Sequence, residues 1–356
     1  MAYTDIDKPS DYFRSKLWTG NDATSRAITF DEDTNMQPDL VWVKGRSLSV
    51  SHLLQDSVRG TGGSYTLKSD ATAGDGTNTQ GNVSAFSTNG FTVAEGSDSD
   101  HTRAVNNGSA TYVGWNWKAG TSFTNDASAT GIGTIDSTGS VNTDAGFSII
   151  SYTGTGSNGT VAHGLGVAPK MIICKGRSFS TSAHWLTYHE AMGNTSAMKL
   201  NLTSAKETTV YYWNNTSPTS STFSLGASTE ANSSSETFIA YCFAEKQGYS
   251  KFGSYTGNAN ADGTFVYTGF RSAFLLCKRA DGGTGNWQLF DNKRLGYNLN
   301  NYGVQPNLSN AENTAQDLDI LSNGFKHRQS GNDLNGSNTY IYMAFAENPF
   351  VTSTGV

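Results

Sequence analysis

The sequence predicts an all-β protein built from three tandem antiparallel β-sandwich modules of a jelly-roll-like type. Two observations predict this fold class. Aromatic residues make up 12% of the 356 residues, charged residues only 15%, and Gly occurs 39 times. This composition favours strands and tight turns, whereas long helices are richer in Ala, Leu, Glu and Lys. In addition, one pattern of short apolar runs recurs three times along the chain, which is typical of a structural unit used repeatedly.

Four landmarks define the repeat, and they occur in the same order in each copy. From the second copy to the third, the spacing is 103 residues at an opening Gly (154 to 257) and at a Lys (175 to 278). It is 102 residues at a late Phe (223 to 325) and at the Thr that begins the closing strand (237 to 339). The landmarks are the triplets Trp18-Thr19-Gly20, Tyr152-Thr153-Gly154 and Tyr255-Thr256-Gly257; the lysines Lys44, Lys175 and Lys278; Phe91, Phe223 and Phe325; and the closing strands "TYVGWNWKA" from Thr111, "TFIAYCFAE" from Thr237 and "TYIYMAFAE" from Thr339.

Each copy has the strand density of a sandwich. In the second copy, short runs such as "KMIICKG", "HWLTYHE" and "TVYYWN" are separated by Gly, Asn, Ser and Pro turns, and each predicts a strand. About eight such strands in about 100 residues match a sandwich or a jelly roll. The closing strand has apolar side chains on both faces, so we expect it at the centre of its sheet.

The domain organisation follows from the repeat. The predicted modules span residues 1–118, 144–246 and 247–356. The first and second copies are further apart, 131 residues at the Lys (44 to 175), and most of the excess is a Gly/Ser/Thr-rich stretch almost free of large side chains. We interpret residues 119–143 as a flexible linker or a long exposed excursion.

Composition and motifs disfavour several function classes. The net charge of −6 provides no basic field for nucleic acid. No apolar run reaches the roughly 18 residues of a membrane span, and the N-terminal residues lack the pattern of a secretory signal. The sequence contains no P-loop pattern, and its three cysteines lie in apolar runs without metal-binding spacing. We therefore expect buried free thiols, no cofactor and no metal.

The repeated cationic pairs are the first candidate contact residues. Lys44 with Arg46, and Lys175 with Arg177, follow apolar core strands, and such pairs can grip a phosphate or an acidic sugar. The alternative is a strand end at which solvated charges discourage edge pairing. The third copy has the adjacent pair Lys278-Arg279 instead, which favours the alternative and places these charges in solvent.

Two tryptophans are the second candidates. Trp185 and Trp287 occupy the same position in their copies, where the first copy has His52. Exposed indole rings would offer a stacking platform for sugars. The alternative is core packing, which the alternating apolar neighbours of both residues favour.

No catalytic constellation stands out in the sequence. His184 and His189 are five residues apart and would lie on opposite faces of a strand, which prevents a shared metal. His189-Glu190 is a local base–acid pair, and no particular pair of carboxylates can be assigned to glycoside hydrolysis. We therefore predict a protein without enzymatic activity.

Several phrases resemble a known group of proteins. The phrases "YTDIDKPSDYF", "VWVKGRS", "LLQDSVRG", "YVGWNWKAG" and "FIAYCFAEKQGYSKFGSYTGN" are similar to those of structural proteins encoded by marine tailed bacteriophages, including phages of cyanobacteria and of ocean alphaproteobacteria. The resemblance covers nearly the whole chain and includes the order of the phrases. It implies a virion component of the tail or fibre type, and it carries no enzymatic residues onto this sequence.

The expected function is therefore that of a phage virion structural protein, a tail fibre or adsorption subunit that binds host-surface glycan through loop aromatics. Two alternatives stay open, a capsid decoration or head-fibre protein without a receptor role, and a polysaccharide depolymerase. The expected partners are further copies of the chain, with a trimer favoured, other virion proteins and host-surface polysaccharide, but neither nucleic acid nor a membrane interior. The expected location is the virion, after assembly in the host cytoplasm.

Overall fold

The computed structural model describes residues 6–178 and 183–348, and the regular secondary structure of these residues is mainly antiparallel strand. This confirms the all-β fold class. The helical segments of the described residues are single turns. They include 3₁₀ turns at Pro9–Asp11, Gly63–Tyr65 and Glu190–Met192.

The first copy forms two sheets. The larger has five strands in the order β1-β8-β3-β4-β5, and the smaller has three in the order β2-β7-β6. The strands are β1 (Phe13–Thr19), β2 (Ser25–Thr29), β3 (Leu40–Gly45), β4 (Leu53–Asp56), β5 (Leu67–Lys68), β6 (Asn82–Ser87), β7 (Gly90–Ala94) and β8 (Thr111–Trp117).

The second copy contains a larger sheet and a reduced small one. The elements are β9 (Thr121–Asn125), α1 (Ala127–Thr130), β10 (Ser137–Asn142), β11 (Phe147–Thr153), β12 (Gly159–Ala162), β13 (Met171–Gly176), β14 (Leu186–His189), β15 (Ser196–Lys199), β16 (Glu207–Thr208), α2 (Val210–Trp213), β17 (Thr222–Leu225), α3 (Thr229–Asn232) and β18 (Thr237–Phe243). The large sheet has eight strands in the order β16-β15-β14-β13-β18-β11-β10-β9, and β12 pairs with β17.

The third copy again forms two sheets. Its elements are β19 (Ser250–Thr256), β20 (Phe265–Tyr267), β21 (Arg271–Arg279), β22 (Gln288–Asp291), β23 (Leu318–Leu321), β24 (Gly324–His327) and β25 (Thr339–Asn348). The sheet orders are β19-β25-β21-β22 and β20-β24-β23.

The three copies share one strand order and one register. The closing strand lies between the opening strand and the Lys-bearing strand each time, as β8 between β1 and β3, β18 between β11 and β13, and β25 between β19 and β21. This confirms its predicted central position. The opening Thr pairs with the first Thr of the closing strand in every copy, as Thr19 with Thr111, Thr153 with Thr237, and Thr256 with Thr339.

Four apolar cores hold these sheets together. Three of them each lie between the large and the small sheet of one copy. The fourth contains residues of all three copies, because the other faces of the large sheets meet there. Its aromatic centre joins Phe13 and Trp117 of the first copy to Phe274 and Phe345 of the third and Phe243 of the second. The strand order thus occurs three times around a shared core, whereas the division into three separate sandwiches stays a prediction.

The interpretation of residues 119–143 as a flexible linker is wrong for most of this segment. Strands β9 and β10 lie in it and extend the eight-stranded sheet beyond β11. A one-turn helix, α1, connects them, and its N-cap Asp126 accepts hydrogen bonds from two backbone N–H groups. The Ser- and Thr-rich composition lacks the apolar alternation that indicates a strand, but edge strands gain their stability from backbone pairing and do not need large buried side chains.

The opening aromatic residue has the same role in each copy. Its ring N–H or O–H donates to the carbonyl oxygen of the residue before a buried Asn near the closing strand. This contact ties the start of each copy to its end, and it explains why the triplet recurs. The contacts are Trp18 Nε1 to Val105 O at 2.8 Å, Tyr152 Oη to Ala231 O at 2.7 Å, and Tyr255 Oη to Leu334 O at 2.8 Å.

The Gly of each triplet is required by close backbone approach. A Cβ atom added to Gly20, Gly154 or Gly257 would lie 1.9, 2.3 or 2.1 Å from a backbone carbonyl oxygen of the segment that precedes the closing strand of the same copy. These distances are far below van der Waals contact, and the obstacle is backbone, which cannot rotate away. Only glycine therefore fits at these positions.

We expect Gly154→Ala to lower the free energy of unfolding by about 1–3 kcal/mol, because the added methyl forces two backbone segments apart. Urea denaturation measures the change. Gly76→Ala is the matched control, since its nearest neighbour to a new Cβ is 3.9 Å away and a change within about 0.5 kcal/mol is expected. Equal effects of the two substitutions would contradict the close approach.

Candidate binding cleft

The three repeated lysines lie inside the protein. Lys44, Lys175 and Lys278 are each 0% exposed, so the prediction that these strand ends carry solvated charge is wrong. Each ammonium donates to one carbonyl of its own copy and to one carbonyl of a neighbouring copy. The acceptors are Val50 O (2.5 Å) and Ser309 O (3.0 Å) for Lys44, Ala183 O (2.7 Å) and Thr72 O (2.6 Å) for Lys175, and Arg279 O (2.8 Å) and Thr203 O (3.2 Å) for Lys278.

These contacts close the three copies into a ring. The lysine of the first copy reaches the third copy, that of the second reaches the first, and that of the third reaches the second. We call the three surfaces where copies meet the 1–2, 2–3 and 3–1 junctions. The lysine is therefore a structural element of each junction and cannot contact a ligand from solution.

Burial also changes the titration of the lysines. Removal from water lowers the pKa of Lys44, Lys175 and Lys278 to about 8, and nearby carboxylates offset only part of this effect. Two backbone carbonyls accept hydrogen bonds from each buried ammonium. The sequence shows the end of a strand, but it does not show that a neighbouring copy covers that end.

The two candidate arginines are engaged in ion pairs at the junctions. Arg177 Nε lies 2.8 Å from Asp75 Oδ2 across the 1–2 junction. Arg46 donates twice to the Glu312 carboxylate, at 3.0 Å each, across the 3–1 junction. Their side chains are only 18% and 15% exposed. The guanidinium groups considered for binding a phosphate or an acidic sugar therefore bind carboxylates of the chain itself.

A second pair of ions lies behind each of these carboxylates. Arg59 pairs with Asp56 at 2.5 Å and also reaches Asp75, while Arg294 pairs with Asp291 at 2.6 Å and also reaches Glu312. All four side chains of the two inner pairs are fully buried. An aromatic residue of the next closing strand completes each network, Tyr241 Oη donating to Asp56 at 2.7 Å and Trp115 Nε1 to Asp291 at 3.0 Å.

The sequence analysis missed these networks, although a signal exists. The first copy contains "QDSVRG" and the third "FDNKRLG" at the same place, an Asp three residues before an Arg. The second copy has "YHEAMG", so His189 and Met192 replace the pair at the 2–3 junction. His189 Nε2 lies 3.1 Å from the carbonyl oxygen of Tyr342, and burial lowers its pKa to about 4. The imidazole of His189 is therefore neutral and hydrogen bonded, and the residue serves in packing.

The tryptophan candidates are also interior residues. Trp185 is 0% and Trp287 1% exposed, so the interpretation as a stacking platform is wrong and core packing is confirmed. Their indole N–H groups donate across the junctions to Lys68 O at 2.9 Å and Lys199 O at 3.1 Å. His52 occupies this position in the first copy, where it accepts from Trp42 Nε1 at 2.9 Å.

The second copy departs from the repeat at its small sheet. The run "TVYYWN", which predicts a strand, forms the helical turn α2 instead. Thr209 caps the turn by accepting from the N–H of Tyr211, and Asn214 ends it in a left-handed conformation. The turn packs closely on the loop after β17, because a Cβ on Gly226 would lie 2.4 Å from the carbonyl oxygen of Tyr211.

This turn forms one wall of a surface cleft of about 600 Å³. Tyr211 is 62% exposed, whereas the other aromatic side chains of the turn, Tyr212 and Trp213, are buried. The cleft therefore combines an exposed ring with hydroxyl and carboxylate groups. Its main lining residues are Glu207, Thr209, Tyr211, Tyr212, Ser228 and Glu230.

One ammonium lies between the two carboxylates of the cleft. Lys199 Nζ is 3.1 Å from Glu207 Oε2 and 3.3 Å from Glu230 Oε1. Tyr212 Oη donates to Glu207 at 2.6 Å. Burial raises the pKa of Glu207, but the hydrogen bonds from Tyr212 and Lys199 outweigh it and lower the pKa overall. The Glu207 carboxylate is thus a fixed hydrogen-bond acceptor at neutral pH.

Two further exposed aromatic residues lie on the edge strand β20. Phe265 is 43% and Tyr267 59% exposed. The register places Val266, Ile28 and Val161 opposite the late Phe of their copies. The positions equivalent to Phe265 and Tyr267 are therefore Ala27 and Thr29 in the first copy and Thr160 and Ala162 in the second. Two copies fold with small residues at these positions, so the fold does not require the aromatic ones.

Other site types find little support in the described residues. Within residues 6–178 and 183–348, no three His, Cys, Asp or Glu side chains are grouped to hold a metal ion. All three cysteines are free and buried, as predicted. Over the same ranges, no helix has the length and apolar character of a membrane span. The chemistry available in the cleft is stacking on a ring combined with hydrogen bonding.

Comparison with known proteins identifies a family for this chain. A family model described as Domain of unknown function (DUF7483) matches residues 8–349. No curated protein matches the chain.

The free energy of unfolding should rise with pH as the buried lysines lose their protons. Their pKa is about 8 in the folded protein, against an ordinary value of 10.5. Between these values the unfolded chain binds more protons, so rising pH favours the folded state, whereas below pH 8 both states are charged and the gain is lost. We expect on the order of 1 kcal/mol per lysine between pH 7.5 and 9, measured by urea denaturation.

Lys175→Met provides the comparison for this pH dependence. Its rise between the same pH values should be smaller than that of the unmodified chain by about 1 kcal/mol, because one titrating group is gone. Buried thiols oppose the rise, since burial raises the pKa of Cys174 to about 12, but they do so equally in both proteins. Identical pH profiles would show that Lys175 is not held as a buried cation.

Proposed function

We propose that this chain, which belongs to the DUF7483 family, is a structural protein of a tailed-phage virion that attaches to host-surface glycan. The virion part of the proposal is supported by the phrases from "YTDIDKPSDYF" to "FIAYCFAEKQGYSKFGSYTGN", which resemble those of phage structural proteins. The attachment part is supported by the geometry of the cleft.

The exposed ring of Tyr211 is the observation that carries the attachment proposal. A pyranose ring has an apolar face that packs on an aromatic ring and equatorial hydroxyls that hydrogen bond to carboxylates. The cleft supplies both, because Tyr211 is 62% exposed and lines the same cleft as Glu207 and Glu230. A concave site with an aromatic wall and a few fixed polar groups is typical of small-ligand binding.

The ring of copies supports a binding role in a second way. Backbone contacts and buried ion pairs fix the junctions, so the cleft wall is held by a rigid β body. A site organised before the ligand arrives loses less conformational entropy on binding. Weak single contacts then suffice on a particle that carries many copies, since linked sites make later binding steps intramolecular.

Two carboxylates in the cleft raise a second candidate function, glycan hydrolysis. Hydrolysis of a glycosidic bond uses two carboxyl groups, one of which must stay protonated as the general acid. Lys199 lies between Glu207 and Glu230, and the pKa of Glu207 is lowered, which is opposite to the need of an acid. This arrangement therefore favours binding over cleavage.

Location in the particle tests the virion proposal. Gold-labelled antibodies against the chain should mark the tail or its fibres in electron micrographs of intact phage. Label confined to the capsid, together with normal adsorption of phage lacking the protein, would overturn the adsorption role and favour a decoration protein. Absence of label from purified particles would overturn the virion assignment itself.

Tyr211→Ala should weaken binding to polysaccharide from a susceptible host by roughly 2- to 12-fold, since a stacked aromatic contact is worth about 0.5–1.5 kcal/mol. Isothermal titration with the purified chain measures the affinity. The melting temperature should not change, because the ring is mostly exposed.

Val210→Ala is the matched control, since Val210 is 44% exposed in the same turn but does not line the cleft. Its affinity should equal that of the unmodified chain. Unchanged affinity of Tyr211→Ala would rule out the cleft as the attachment site. Shortening of the polysaccharide during the titration would support the hydrolytic alternative.

A further inference from the structure

A separate pocket of about 200 Å³ lies at the 3–1 junction. The start of β1 forms one side, and the end of β25 with the turn after β22 forms the other. Phe13 and Ala273 contribute apolar surface. The polar lining comes chiefly from Arg14, Ser15, Glu32, Asn292, Lys293 and Glu347.

Three polar atoms of this lining are buried and accept no hydrogen bond. Among the described residues, none hydrogen bonds to Ser15 Oγ, Asn292 Oδ1 or Glu347 Oε2, and the ion that faces Glu347 Oε2 is Arg271 Nη1 at 4.0 Å. Ser15 and Asn292 are each only 8% exposed. Leaving such atoms without partners costs about 1–3 kcal/mol each, and three in one small pocket indicate a polar ligand that supplies the partners.

At the 2–3 junction the carboxylate equivalent to Glu347 is fully hydrogen bonded by the neighbouring copy. Glu245 and Glu347 are equivalent, each two residues after the last Phe of its closing strand. Glu245 accepts from Lys251 Nζ at 2.8 Å and from the N–H of Phe252 at 3.1 Å. Ser15 holds the position equivalent to Phe252, because both are four residues before the opening Thr. The unsatisfied carboxylate oxygen is therefore a local departure from the repeat.

The charges of the lining define the class of ligand. Arg14 and Lys293 are cations, and Glu32 and Glu347 are anions, so the formal charges of the lining cancel. The ions next to the lining cancel as well, since Asp11 lies 3.8 Å from Arg14 and Arg271 lies 4.0 Å from Glu347. Two of the three unsatisfied atoms are pure acceptors, and a hydroxyl is the third. A ligand for this pocket is thus neutral and donates several hydrogen bonds. A volume of about 200 Å³ suits one six-membered sugar ring.

We propose that the 3–1 junction pocket binds a single neutral sugar residue. Its hydroxyls would donate to Asn292 Oδ1 and Glu347 Oε2 and exchange a hydrogen bond with Ser15, while Phe13 and Ala273 cover an apolar face. The proposal names a site distinct from the Tyr211 cleft, and it stands on the pocket chemistry alone, whatever becomes of the proposed function.

Saturation-transfer NMR and calorimetry with glucose, galactose and mannose test the proposal on the full chain. At least one of these neutral sugars should bind saturably, and glucuronate and glucosamine should bind more weakly. Glu347→Ala and Asn292→Ser should each reduce the affinity at least tenfold. Both substitutions introduce the residue found at the equivalent position of the first copy, Ala119 and Ser57, so the backbone tolerates them.

One control separates this site from a general effect. Glu245→Ala removes the equivalent carboxylate at the 2–3 junction and should leave sugar affinity unchanged. The proposal is overturned if none of the neutral sugars binds, because the pocket then holds water only. It is also overturned if glucosamine alone binds, or if Tyr211→Ala abolishes binding while Glu347→Ala, shown to be folded by its melting temperature, does not.

Discussion

The burial of one lysine ammonium at each junction is the constraint on which the rest of the structure depends. An ammonium removed from water is destabilising unless hydrogen-bond acceptors surround it. In this chain half of those acceptors are carbonyls of the neighbouring copy, as Lys175 shows with Thr72. A single copy therefore lacks the groups that its own core strand needs. The shared core around Trp117 and Phe345 also requires neighbouring copies, because each large sheet has two apolar faces and its own small sheet covers only one of them.

Much of the fold follows from local patterns in the sequence, and the rest depends on contacts between copies. The landmarks predict the repeated strands and the central closing strand, since apolar alternation on both faces reports burial directly. They do not show that Lys44 or Trp185 is covered by a neighbour, because a strand end has the same sequence in water and at a junction. The strands of residues 119–143 escaped prediction since their Ser and Thr side chains carry no periodic signal. The cleft escaped it because "TVYYWN" consists largely of residues that favour strands, whereas the caps at Thr209 and Asn214 and the close packing against Gly226 produce a helical turn.

The repeat also separates residues that serve the fold from residues that do not. Three copies place three side chains in nearly the same backbone environment, so each position contains its own comparison. Where all copies agree, as at Gly20, Gly154 and Gly257, a steric requirement explains the residue. Where one copy departs and exposes a large ring, as at Tyr211 and Tyr267, packing offers no explanation, and the binding proposal rests on such a position.

The uneven distribution of the ion networks follows from how the chain tethers its copies. Only six residues separate β18, which ends at Phe243, from β19, which begins at Ser250, so the second and third copies are held together at high effective concentration. The third and first copies are joined only through the whole chain, and the first and second are joined through the long excursion that contains β9 and β10. Bringing these copies together therefore costs more conformational entropy, because longer loops lose more entropy on closure. The buried pairs Asp56–Arg59 and Asp291–Arg294 lie at those two contacts, whereas the short tether tolerates Met192. At the 2–3 junction the short covalent connection thus holds the copies together, whereas buried ion pairs do so at the other two junctions.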